Sequence, residues 1–177
     1  MSDPSSSLIS RGIPAADDVR QILPSPERLA EGPVAIIECF QEIPCDPCSA
    51  ACQRGAILPF TDICDLPQVD HAACNGCSLC VVRCPGLAIF VVDISRAGDR
   101  GEVKLPYEYL PLPAKGETVT CLDRSGVALC EGVVTSALKP RSFDRTALIA
   151  VDVPKQHALE VRGIKVRPRP QKEGQPA

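Results

Sequence analysis

The chemistry this sequence can do is concentrated in its cysteines. Eleven of its 177 residues are cysteine, and nine of them fall within residues 33–94. The densest run reads Cys74-Asn-Gly-Cys77-Ser-Leu-Cys80-Val-Val-Arg-Cys84-Pro85. The spacing C-x2-C-x2-C-x3-C-P is that of a cubane [4Fe–4S] site. Residues three apart on a tight loop can present sulfurs to three iron corners of one cube, and Gly76 allows the sharp turn that brings backbone amides close to the sulfurs. The fourth cysteine points away, toward a second cluster. Zinc is the competing metal. Its structural sites use C-x2-C pairs well separated in sequence, which this crowded run does not provide.

A second, weaker copy lies upstream. Cys48-Ser-Ala-Ala-Cys52 followed by Ala56-Ile57 aligns with Cys80-Val-Val-Arg-Cys84 followed by Ala88-Ile89, an internal repeat. Cys45 then matches Cys77. The position matching Cys74 is Glu42, a poor iron ligand, and Cys39 three residues earlier is the substitute. Packing as a small buried hydrophobe is the other reading of Cys39. In two-cluster ferredoxins the fourth cysteine of each run serves the other cluster. That crossing predicts one [4Fe–4S] cluster on Cys39, Cys45, Cys48 and Cys84, and a second on Cys74, Cys77, Cys80 and Cys52. The first run departs from the motif, with x5 in place of the first x2 and Gln53 in place of Pro. Cys64, between the runs, is a possible substitute ligand but has no partner in the repeat, so it reads as a bystander. Cys121 and Cys130 fall on two strands of an expected hairpin and read as packing residues.

The elements that must hold these sulfurs are short. Residues 1–32 form an N-terminal extension, partly disordered, with short helices expected near 15–22 and 27–31; Ser25 before Pro26 is a natural N-cap. Residues 33–94 form the cluster-bearing domain, entered by a buried strand at 34–39 and left by one at 87–94. Residues 95–110 read as a linker, because Arg96-Ala-Gly98-Asp-Arg-Gly101 has turn chemistry. Residues 111–168 read as a small β domain with strands at 117–123, 127–134, 146–153 and 159–166. Residues 169–177 read as a disordered tail. The expected fold class is α+β: a dicluster bacterial-ferredoxin-like core followed by a small all-β, barrel-like C-terminal domain.

Composition narrows the function classes. Aromatic residues are 3% and Trp is absent, so small domains would need metal staples or partners. A net charge of −3 gives no footprint for nucleic acid. The one basic cluster, Arg162, Lys165, Arg167, Arg169 and Lys172, is interrupted by Pro168 and Pro170 and reads as a solvated end. The first 20 residues lack the apolar run of a signal peptide, and the apolar stretch at 87–92 is far shorter than a membrane span. A cytoplasmic location follows as an expectation, and reduced thiols with it. No G-x-G-x-x-G, P-loop or G-x-S-x-G is present, and His71 and His157 supply no nucleophile–base pair. No catalytic residues are expected.

The stretch GPVAIIECFQEIPCDPCSAACQRGAI with CNGCSLCVVRCPGLAIFVVD resembles the small iron–sulfur subunits of multi-subunit, flavin-dependent amino-acid dehydrogenases, the group that acts on D-hydroxyproline, proline and opines. The element IECFQEIPCDPC is its more specific part. Further similarity lies in LPYEYLP through Lys115-Gly-Glu117, in Asp144-Arg-Thr146 and in Val161-Arg162, so that most of 25–167 is covered. The resemblance implies an electron-transfer subunit, not itself an enzyme. FAD or FMN would reside only in partner subunits of a hetero-oligomer, and all eight paired cysteines would be iron ligands. A free soluble ferredoxin with appended tails is one alternative. A zinc-binding or redox-sensing interaction module is another.

Overall fold

The computed structural model describes Leu8 and residues 12–167. The expectations of disorder in the first dozen residues and at 169–177 lie almost wholly outside the described residues. The chain is mixed α and β, dominated by one seven-stranded antiparallel sheet with few helices. Two short helices precede the sheet, α1 (Ala16–Ile22) and α2 (Pro26–Glu31). The side chain of Ser25 accepts from the Arg28 amide and caps α2, with Pro26 at its first position. Then follow β1 (Val34–Ile37), α3 (Pro47–Ala51), a 3-10 turn (Val81–Arg83) and β2 (Ile89–Asp93). The second half holds β3 (Arg100–Tyr107), β4 (Thr118–Leu122), β5 (Ala128–Leu138), β6 (Ala147–Pro154), α4 (Lys155–Ala158) and β7 (Gly163–Lys165).

The strand order is β1-β2-β3-β6-β5-β4-β7, so one sheet runs through the cysteine-rich half and the β region alike. Its registers include Val34 opposite Val92, Val103 opposite Val151 and Cys121 opposite Cys130. β1 and β7 are the sheet's edges, yet Ile36 of β1 and Ile164 of β7 belong to the same core cluster. The two edge strands of the sheet thus contribute to one core. Irregularities at Cys121/Leu122 and at Val134/Ser136 help the long β5 bend. Gly132 permits the tightest contact of that bend: a Cβ there would meet a methyl of Val151 at 2.5 Å and the Cys121 sulfur at 2.7 Å.

β1 and β2 are buried on both faces, which is why they read as unbroken apolar runs. Ile36, Phe90 and Val92 face the core that the edge strands share. Ala35, Ile37, Ile89 and Val91 face a second core built around the cysteines, with Val81, Val82 and Ile57.

The segment 95–110 is corrected by the structure. The expected turn is present at 96–99, but β3 follows at once and pairs with both β2 and β6. Its signal is the alternation of Val103, Leu105 and Tyr107, all turned inward. Pro106 obscured it. A proline is tolerated there because the pairing with β2 ends at Lys104. The last expected strand is also shorter than 159–166, because α4 and the turn after it occupy residues up to 160.

Candidate metal centre

The cysteines of the two runs sit on short loops pinned against β1 and β2. In each copy of the repeat a single helical turn separates the third cysteine from the fourth. α3 carries Cys48 and ends at Cys52; the 3-10 turn starts after Cys80 and ends at Cys84. The two turns pack on each other. This brings the last cysteine of each run toward the first three of the other.

The structure gathers the eight cysteines into two cavities. One is lined by Cys52, Cys74, Cys77 and Cys80 together with Ala35, Arg54, Ala56, Ile57 and Val69. The other is lined by Cys39, Cys45, Cys48 and Cys84 together with Ile37, Ile43, Phe60 and Ile89. These are the two crossed sets that the repeat predicts. Cys64 lines neither; its amide bonds the Asp62 side chain at 2.8 Å in a surface loop. Cys121 is fully buried across from Cys130 on the β4–β5 hairpin, where burial first, and then Cys130, push its thiol up to about 12.

The electrostatics repeat this grouping. Burial pushes the Cys80 thiol up to about 12, reinforced by Cys74, Cys77 and Cys52. Burial likewise pushes Cys48 up to about 11, reinforced by Cys84, Cys45 and Cys39. Buried thiols crowded against one another resist ionisation. A metal that takes thiolate ligands would reverse this balance and release protons as it binds.

Backbone amides supply donors to the sulfurs. Ala35 N–H points to Cys74 Sγ, Ile57 N–H to Cys52 Sγ and Ala88 N–H to Cys84 Sγ, each at 3.4 Å. Among the described residues no group of three or more His, Cys, Asp or Glu side chains is arranged to hold a single metal ion. Two apolar cavities, each with four cysteines on its walls and amides aimed at the sulfurs, are a donor set suited to an iron–sulfur group.

Gly76 has a tighter constraint than turn geometry alone. Its φ is +66°, and a Cβ would lie 2.5 Å from Cβ of Pro33 and 2.9 Å from the Pro33 carbonyl. The cysteine loop is thereby pressed against the chain entering β1.

Two positioning groups carried no sequence signal. Arg28 of α2 donates to four backbone carbonyls: His71 at 2.7 Å, Cys74 at 2.7 Å, Gly32 at 3.1 Å and Pro33 at 3.1 Å. One guanidinium thus ties α2, the start of β1 and the first cysteine of the densest run. Nearby His71 is half-buried, and burial first, then Arg28, lower its pKa. The second group is Glu38, next to Cys39. It receives Arg124 of the β4–β5 turn at 2.7 Å and Arg162, just before β7, at 2.6 Å. Arg162 also lies 4.7 Å above the Phe90 ring. Burial lowers the Arg162 pKa to about 10 although Glu38 opposes the shift, so it stays charged at neutral pH.

Among the described residues no helix is long and apolar enough to cross a membrane. No protein-family model, curated protein or solved structure matches the chain.

Proposed function

We propose that this chain is an electron-transfer iron–sulfur subunit of a heteromeric flavin-dependent amino-acid dehydrogenase. On this reading it holds two [4Fe–4S] clusters and performs no bond chemistry of its own. The observation that carries the reading is the sorting of eight cysteines into two four-cysteine cavities that match the crossed pairing of the repeat. When bound, such clusters accept and release one electron each, which suits the stepwise discharge of a two-electron flavin in a partner subunit.

The chain's own residues then have separable roles. Cys52, Cys74, Cys77 and Cys80 would hold one cluster; Cys39, Cys45, Cys48 and Cys84 the other. The amides of Ala35, Ile57 and Ala88 stabilise charge on the sulfurs they face. Ile57, Val81, Val82 and Ile89 exclude water and lower the local dielectric. Arg28 fixes the Cys74 loop, and the Glu38–Arg124–Arg162 contact fixes the backbone at Cys39.

The test is iron and acid-labile sulfide per chain, on protein purified without oxygen together with whatever co-purifies. About eight irons, two cubanes of four, is the expected outcome. About four would remove the irregular first run from the reading. A colourless, zinc-loaded protein would overturn it.

A further inference from the structure

Resting on that reading, we propose that the groove beside the Cys39/Cys45/Cys48/Cys84 cavity is the docking surface for a redox protein. The partner's cofactor would lie beneath an apolar face ringed by Lys or Arg.

The groove is an open recess of about 1120 Å³, floored by Leu58, Pro59, Phe60 and Leu66. Phe60, Asp65 and Pro67 line both this groove and the four-cysteine cavity. The two spaces are therefore back to back, with one layer of side chains between them. Electron tunnelling falls off steeply with distance, and a partner seated here would have only that shared wall between it and the cysteine cavity. The loop is also tied to the cysteines by its backbone, the Cys45 amide bonding the Ile63 carbonyl at 3.0 Å.

The groove mixes acidic and apolar side chains. Two large aliphatic side chains on its wall stay half-exposed, Leu58 at 41% and Leu66 at 40%, and an apolar contact there would cover them.

Charge selects the kind of partner. Glu42, Asp62 and Asp65 line the groove, and no Lys or Arg does among the described residues. Residues 41–70 carry Glu42, Asp46, Asp62, Asp65 and Asp70 against Arg54 alone, five negative charges less one positive, or −4. The whole chain carries −3, so the remainder of the chain nets +1. An acidic rim around an apolar floor complements a basic rim around an apolar knob, and such complementarity acts mainly on the rate of encounter. One electron crosses per encounter: the reduced group on the cysteines loses it, the partner's cofactor gains it, and no atom or proton need move.

The probe is ferricytochrome c, a basic protein whose haem edge is ringed by lysines. The full chain, loaded and reduced with dithionite, is mixed with it in a stopped-flow instrument and haem reduction is followed against ionic strength. The expected second-order rate falls steeply as salt is added. Glu42→Lys/Asp62→Lys should lower it about tenfold at low salt and flatten the salt dependence. Glu42→Lys alone, at an exposed side chain, should do so in part if the double variant misfolds. Leu66→Ser should slow transfer at high salt, where only the apolar contact remains. Glu131→Lys on β5, the control, should change the rate by less than about twofold. A salt-independent rate, or equal effects of Glu42→Lys and Glu131→Lys, would overturn the docking surface in a chain that still carries its full iron. A chain that binds no iron would overturn the electron-transfer reading itself.

Discussion

Removing the Arg28 guanidinium tests how the Cys74 loop is held. Arg28→Ala deletes four charge-assisted hydrogen bonds to backbone carbonyls, two of them at 2.7 Å. Such bonds contribute about 1.5–3 kcal/mol each when isolated. Here they are not additive. Two share one nitrogen, the site is only partly buried, and water can reach some of the freed carbonyls. A destabilisation of about 3–4 kcal/mol is the consistent figure. For a chain of 177 residues that corresponds to a fall in Tm of about 10 °C. The loss should also be directional. The cavity holding Cys74 loosens, while the one holding Cys39 keeps its brace at Glu38. Calorimetry with iron counting, on protein purified without oxygen, should therefore show a lower Tm and a selective loss of about four irons. Arg28→Lys keeps the charge but cannot span four acceptors, and should fall between. A variant that keeps its Tm within about 2 °C and all its iron would refute the argument. So would one that loses the Cys39 site first.

Three further expectations follow from the same geometry. Cys77→Ala should abolish one cluster signal in electron paramagnetic resonance, whereas Cys64→Ala, outside both cavities, should leave both; equal damage would sink the ligand assignment. Gly76→Ala adds a Cβ 2.5 Å from Pro33 at a φ of +66° and should cost upward of about 2 kcal/mol, read as a lower unfolding midpoint and reduced iron. Burial pushes the Asp93 carboxyl up, but hydrogen bonds from the Ser95 hydroxyl and amide and from Arg96 outweigh it and hold its pKa below the usual value. A depressed carboxyl contributes its full stability above its unfolded pKa of about 3.9 and loses it as the pH falls through the folded value. The Tm gap between the wild type and Asp93→Asn should be constant near neutrality and close in acid; a gap that persists to low pH would contradict this.

The grouping of the cysteines was legible because repeat spacing survives as geometry: C-x3-C became one helical turn in each copy, and the turns packed together. β1, β2, β4, β5 and β6 were legible from apolar runs or alternation. β3 was not, because the turn residues before it and Pro106 within it outweighed the alternation of Val103, Leu105 and Tyr107. Nor was the unity of the sheet, since the pairing of β3 with β6 joins residues about fifty apart and leaves no local trace. Arg28 and Glu38 were invisible for a different reason. The acceptors of Arg28 are main-chain carbonyls, which every residue type provides. The partners of Glu38 lie as far as 124 residues away.

That last separation bears on how the protein is made. Glu38 adjoins Cys39, and its brace Arg162 is synthesised 124 residues later. At roughly 5–20 residues per second, the interval on the ribosome is about 6–25 s. During that time the first cysteine run is made in full while the segment before β7 that will clasp it is still being translated. The backbone at Cys39 therefore stays without its clasp until nearly the whole described chain has been made.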